Sequence, residues 1–118
     1  MAYDKNNIFA KILRGEIPCK VVDEDDYTLS FADINPQAPI HILVIPRGAY
    51  TDWSDFAIHA SGEEISAFLK AISRVAELTG IGQTGYRVIS NIGPDSHQEV
   101  PHLHFHILSL PDCLTLSD

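Results

Sequence analysis

The chain has 118 residues, 45% of them hydrophobic and 20% charged, with a formal net charge of −8 at pH 7. This is one domain's worth of ordinary globular protein, long enough to bury a core without staples. The acid excess and the lack of any Lys/Arg cluster exclude binding to nucleic acid through its phosphates, and no apolar run approaches a membrane span.

An acidic protein can still hold a small anion where backbone N–H groups and imidazoles line the site, so net charge does not forbid a phosphate ligand. The start, "MAYDKNNIFAKILRGEIP", lacks the basic-then-apolar order of a signal peptide. Cys19 and Cys113 have no metal-binding or redox spacing, so reduced thiols in a cytoplasmic protein are expected.

In chain order, "NNIFAKILRGEIP" puts Ile8, Phe9, Ile12 and Leu13 on one helical face. Asn6 or Asn7 is the cap, Gly15 the terminator and Pro18 the stop. "CKVVDEDDYTLSFAD" reads as two strands around an acidic turn at Asp25-Asp26. "INPQAP" is a loop, and "IHILVIP" an apolar strand ending at Pro46. Arg47 to His59 has no clear period and reads as loop with at most a short turn. Ser61 and Glu64 form a capping box for a helix whose apolar stripe is Ile65, Phe68, Leu69, Ile72, Val75 and Ala76, ended by Gly80. "GYRVISN" is a strand and "IGPDSHQEVP" a polar loop. The order predicts a single α+β domain over residues 1–118 with a mostly antiparallel sheet.

The stretch "HLHFHIL" holds three of the six histidines. On a strand His102, His104 and His106 share one face, with Leu103, Phe105 and Ile107 on the core face. Three readings compete. A wet strand face could use histidine by chance, although imidazole is a poor default there. A metal could take two of the rings, with a further ligand from His41, His97 or a carboxylate, but three alternating positions span roughly 13 Å and would rarely share one ion. A neutral imidazole could attack phosphorus, forming a P–N bond labile enough for water to resolve. Crowded imidazoles cannot all be protonated near neutral pH, which favours a neutral nucleophile beside a proton-donating partner.

"HLHFHIL" resembles the signature of the histidine-triad (HIT) family, His-x-His-x-His followed by two apolar residues. "NIFAKILRGEIPCKVV", "FADINPQAPIHILVIP" and "GYRVISN", followed by a loop ending in "QEV", resemble its nucleotide-binding Hint branch in the same order, from about Asn7 to Leu108. The resemblance implies a five-stranded antiparallel sheet with two helices, pairing with a second copy into a ten-stranded sheet. It also implies metal-independent, cofactor-free hydrolysis of purine nucleoside monophosphates, such as AMP or GMP, that carry an amine or acyl group on phosphorus.

By resemblance His104 is the nucleophile at the α-phosphorus, forming a nucleotidyl-histidine. His106 lies along the phosphate near the leaving group, and His102 bonds within the strand and orients the triad. His41 matches a fourth family histidine that supports the nucleophile's ring and tautomer. Asp33 matches the acid that takes the ribose hydroxyls. Ile8, Phe9, Ile12, Phe31 and Ile34 match the purine pocket. Asn91, Gln98 and the backbone N–H groups of Glu99 and Val100 match the phosphate side, since turn amides can cradle an anion. Read without the resemblance, His41 is a satisfied core histidine, Asp33 a loop or cap carboxylate and the apolar set ordinary core.

The chain departs from the family pattern in four places. Glu99 stands where some members carry serine, His97 where small residues are usual, and Ser109-Leu110-Pro111 where glycines often follow the triad. "PRGAY" lacks the histidine common after that proline. Two other activities are weighed against the phosphoramidase: hydrolysis of dinucleoside polyphosphates, which "IFAKILRGEIP" disfavours, and a nucleotide sensor or adaptor with incidental turnover.

Overall fold

A computed structural model describes residues 3–109; Cys113 and the divergent tail from Leu110 lie outside them. Five strands form one antiparallel sheet in the order β1-β2-β3-β5-β4. They are β1 (Val21–Glu24), β2 (Thr28–Ala32), β3 (His41–Pro46), β4 (Tyr86–Ile89) and β5 (Phe105–Ser109). The hairpin between β1 and β2 closes on Asp25, whose Oδ1 accepts from the backbone N–H groups of Tyr27 and Thr28, each at 2.8 Å.

Each face of the central strands is covered differently. Helix α3 (Gly62–Leu78) lies over one face, capped by the Ser61–Glu64 box in both directions. Its Phe68, Ala71, Ile72, Val75 and Ala76 pack with Ile42 and Val44 of β3 and with Leu103, Phe105 and Ile107. The helix ends at a left-handed Gly80, a backbone that glycine adopts without steric cost. Leu69, expected on the stripe, is 58% exposed.

On the opposite face lies the short α1 (Ile8–Leu13), capped by Asn7, whose side-chain oxygen accepts from Ala10 N at 2.9 Å. Phe9 packs there with Leu29, Phe31, Leu43 and Ile45. Six residues of helix cannot cover a five-stranded sheet, and a cavity opens on this side.

Two expectations are corrected. Arg47 to His59 is not all loop, because Trp53–His59 is a further helix, α2, capped by Asp52 on Asp55 N. Only its Phe56 is buried, while Trp53 and Ile58 are exposed, so no apolar stripe marks it. The histidine strand also begins later than its alternation implies, at Phe105. Extending the ladder that pairs Val44 with Phe105 would set Leu103 against Pro46, which has no N–H to give. Leu103 N instead donates to Tyr50 O at 2.8 Å.

Ser30 is fully buried, and its hydroxyl has no hydrogen-bond partner among the described residues. Ser30→Ala removes an uncompensated polar group, so it is expected to stabilise the fold by about 1 kcal/mol, raising Tm by about 4 °C in calorimetry. A lowered Tm would mean that the hydroxyl has a partner.

Candidate active site

The register of the sheet assembles the imidazoles on the α1 face. His41 and Leu43 of β3 pair with Leu108 and His106 of β5, so His41 lies diagonal to His106. Their rings sit 5.2 Å apart, and the rings of His104 and His106 are 5.1 Å apart. Phe9 abuts His104 edge-on at 5.0 Å and His102 at 6.3 Å.

Backbone groups fix the tautomers, because a carbonyl can only accept and an amide N–H can only donate. His104 Nδ1 is 2.8 Å from the carbonyl of His102, so it carries the proton. Its Nε2 lone pair then has no partner among the described residues. Gln37 N–H donates to His41 Nδ1 at 3.1 Å, which puts the His41 proton on Nε2. That proton faces His106 Nδ1 at 2.9 Å and Asp33 Oδ2 at 3.2 Å. His106 therefore accepts through Nδ1 and presents Nε2–H. His102 donates through Nε2 to the Pro46 carbonyl at 2.9 Å and takes the Tyr3 hydroxyl on Nδ1.

Burial holds all four rings below the ordinary imidazole pKa. For His102 it reaches about 4, partly opposed by the Pro46 carbonyl and assisted by repulsion from His104. For His106 it also reaches about 4, with burial first and repulsion from His104 and His41 adding to it. His104 and His41 shift the same way for the same first reason, each partly opposed by Asp33. The rings are neutral at pH 7, and the triad offers one unprotonated nitrogen beside one N–H donor.

Nδ1 or Nε2 of His41 and His106 and a carboxylate oxygen of Asp33 lie within 4.8 Å of one another, a spacing that could suit a metal ion. The hydrogen bonds do not fit one. A ligating imidazole keeps a proton on its other nitrogen and donates it. His41 Nδ1 accepts from Gln37 instead, so ligation through Nε2 would strip the ring of both protons.

The cavity has a volume of about 1120 Å³. Ile8, Phe9, Ile12, Phe31, Ile34, Asp33, Asn91, Glu99, Val100, His104 and His106 all line it. Ile34, at 91% exposure, stands at its rim. His41 lies behind this lining, 5% exposed, and His102 is fully buried. Neither Glu99 N–H nor Val100 N–H has an acceptor among the described residues.

The family model that matches this chain is the HIT domain, over residues 14–112. The chain belongs to the HIT domain family. It is 56% identical over 107 residues to an uncharacterized HIT-like protein of Azospirillum brasilense, covering 91% of this chain and 88% of that one. It is 40% identical over 105 residues to the purine nucleoside phosphoramidase of Escherichia coli K12, covering 88% and 87%. Among solved structures, a HIT family hydrolase from Clostridium thermocellum superposes with a TM-score of 0.85 at 36% identity, covering 92% and 94%.

Two assignments carried from the HIT pattern change. Support for the His104 tautomer comes from the carbonyl of His102, while His41 holds His106. Gln98 does not offer its amide to the cavity. Its Oε1 accepts from Gly93 N at 2.9 Å, and its Nε2 donates to Thr51 O and Val100 O at 2.7 and 3.1 Å, pinning the loop. The pattern also missed Gln37, which acts through a backbone N–H that no side-chain pattern reveals. Tyr3 on His102 and the wall Ile17, Pro18, Cys19 and Lys20 were missed as well. His97 lines the cavity in a left-handed backbone, φ +61°. A left-handed backbone is one that residues with a Cβ rarely adopt.

Proposed function

We propose that the protein hydrolyses purine nucleoside phosphoramidates or acyl-nucleotides to the nucleoside monophosphate through a covalent intermediate on His104. The observation that carries this reading is the pinned tautomer of His104, which leaves an unpartnered Nε2 lone pair beside the Nε2–H of His106 in a cavity with an apolar wall. The likeness to a purine nucleoside phosphoramidase supports the same chemistry.

In the first step Nε2 of His104 bonds to phosphorus. The phosphoramidate nitrogen takes a proton from solvent, the P–N bond breaks with its electron pair going to that nitrogen, and the leaving group departs as a neutral amine. His106 Nε2–H donates a hydrogen bond along the reacting phosphate, where charge develops. In the second step water attacks phosphorus and the P–Nε2 bond breaks. His104 returns neutral, and a proton leaves to solvent with the monophosphate. The N–H groups of Glu99 and Val100 cradle the phosphate, and the purine lies against Ile8, Phe9, Ile12, Phe31 and Ile34.

Asp33 is proposed to hold the ribose. Its oxygens accept from Asn35 N at 2.9 Å and face His41 Nε2 at 3.2 Å, leaving further lone pairs for a cis-diol. A 2′-deoxyribose substrate leaves one of them unmatched, which is expected to lower kcat/KM about ten- to a hundredfold. Asp33→Ala should weaken both substrates and erase most of the difference. Equal turnover of ribose and deoxyribose substrates by the wild type would reduce Asp33 to a loop carboxylate.

Because the His41 hydrogen bonds are wrong for a metal ligand, exhaustive chelation is expected to leave the rate unchanged. Activity lost with a stoichiometric metal and restored by its return would reverse this. The proposal includes a cytoplasmic homodimer with a ten-stranded sheet. Edge strand β4 exposes Tyr86 and Val88, and Leu69 and Leu78 are exposed on α3, leaving an edge and apolar surface that pairing would cover. Sedimentation at micromolar concentration should give about twice the 13.0 kDa chain mass; a species of chain mass alone would contradict it.

A further inference from the structure

The proposed function assigns the purine, ribose and phosphorus to parts of the cavity, and a subsite for the leaving group rests on that reading. The lining not assigned there includes the wall Ile17, Pro18, Cys19 and Lys20, and on the loop before the triad Asn91, His97 and the side chain of Glu99, the loop that also carries the phosphate-side N–H groups. Gln98 holds this segment in place through bonds to three backbone groups, of Gly93, Thr51 and Val100. Glu99 is exposed at the cavity, and among the described residues its carboxylate has neither a cation nor a hydrogen-bond donor.

The charges of the lining point one way. Lys20 is the one Lys or Arg among the lining residues, against the two carboxylates Asp33 and Glu99. His104 and His106 add no positive charge at pH 7, because burial keeps them neutral. A leaving group that brought a second negative charge would meet Glu99 unshielded. One that carried a positive charge would pair with it and offset the nucleotide's own phosphate charge. We propose that Glu99 makes the loop side of the cavity a subsite for cationic leaving groups, an amine bearing a second, non-reacting ammonium.

The test compares two adenosine phosphoramidates of one linear alkylamine, ending in a methyl group or an ammonium. The readout is their ratio of kcat/KM in wild type, Glu99→Gln and Glu99→Lys, at low and high salt. An exposed pair of this kind should give the wild type about a three- to fivefold preference for the ammonium substrate at low salt, fading as salt screens it. The ratio should approach one in Glu99→Gln and fall below one in Glu99→Lys. Equal turnover of both substrates by the wild type overturns the subsite alone, as does a preference that survives in Glu99→Gln. Failure to turn over either substrate overturns the phosphoramidase reading and the subsite with it.

Discussion

Replacing His104 with alanine is expected to lower kcat for an adenosine phosphoramidate by at least about a thousandfold, while nucleotide binding weakens by less than about tenfold. Neither of the other triad rings can take its place. His106 accepts from His41 through Nδ1 and carries its proton on Nε2, and His102 is fully buried with both nitrogens engaged. The apolar wall and Asp33 belong to other elements and remain to hold the nucleotide. Single-turnover kinetics, with titration by the monophosphate, separate the two quantities. A variant turning over within tenfold of wild type would remove His104 from the chemistry.

The second large effect is on stability. His102 and His106 are each held near 4 in the folded chain, against an ordinary imidazole value near 6.5, with burial the first cause of both shifts. The unfolded chain therefore binds protons that the native chain excludes. The contribution is fully present above pH 6.5 and is lost as the pH falls towards 4, about 3 kcal/mol for each ring. Two such rings give a slope approaching about 2.7 kcal/mol per pH unit inside that window. His41 and His104 shift in the same direction and add to it. Urea unfolding should show the protein about 4 kcal/mol less stable at pH 5 than at pH 7, a large fraction of a typical domain's stability. A difference below about 1 kcal/mol would mean that these rings are protonated in the native state.

Much of the architecture was legible because the relevant signals are local. The Ser61–Glu64 box, the apolar run of β3 and the acidic turn at Asp25 each occur within a few residues, and each forms as its pattern predicts. Helix α2 was hidden because a helix that buries only Phe56 leaves no stripe, and its trace in the sequence was the Asp52–Asp55 cap. The start of β5 was misread because side-chain alternation says nothing about a missing N–H on the partner strand at Pro46.

In the site, residue types were readable but pairings were not. Which histidine His41 supports depends on the β3–β5 register, a contact between residues 65 positions apart. Gln37 fixes the His41 tautomer through its backbone, so any residue except proline could do the same. Gln98 shows the converse: its amide looks suited to a phosphate, yet the loop needs all of it to hold its own shape.

The covalent role of His104 is tested most directly by the stereochemistry at phosphorus. A nucleoside phosphoramidate made chiral at phosphorus with oxygen isotopes would be hydrolysed, and the configuration of the monophosphate read by phosphorus NMR. In-line attack by Nε2 inverts the centre, and attack by water on the nucleotidyl-histidine inverts it again. Net retention is the predicted result; net inversion would mean that water attacks the substrate directly and that His104 never bonds to phosphorus.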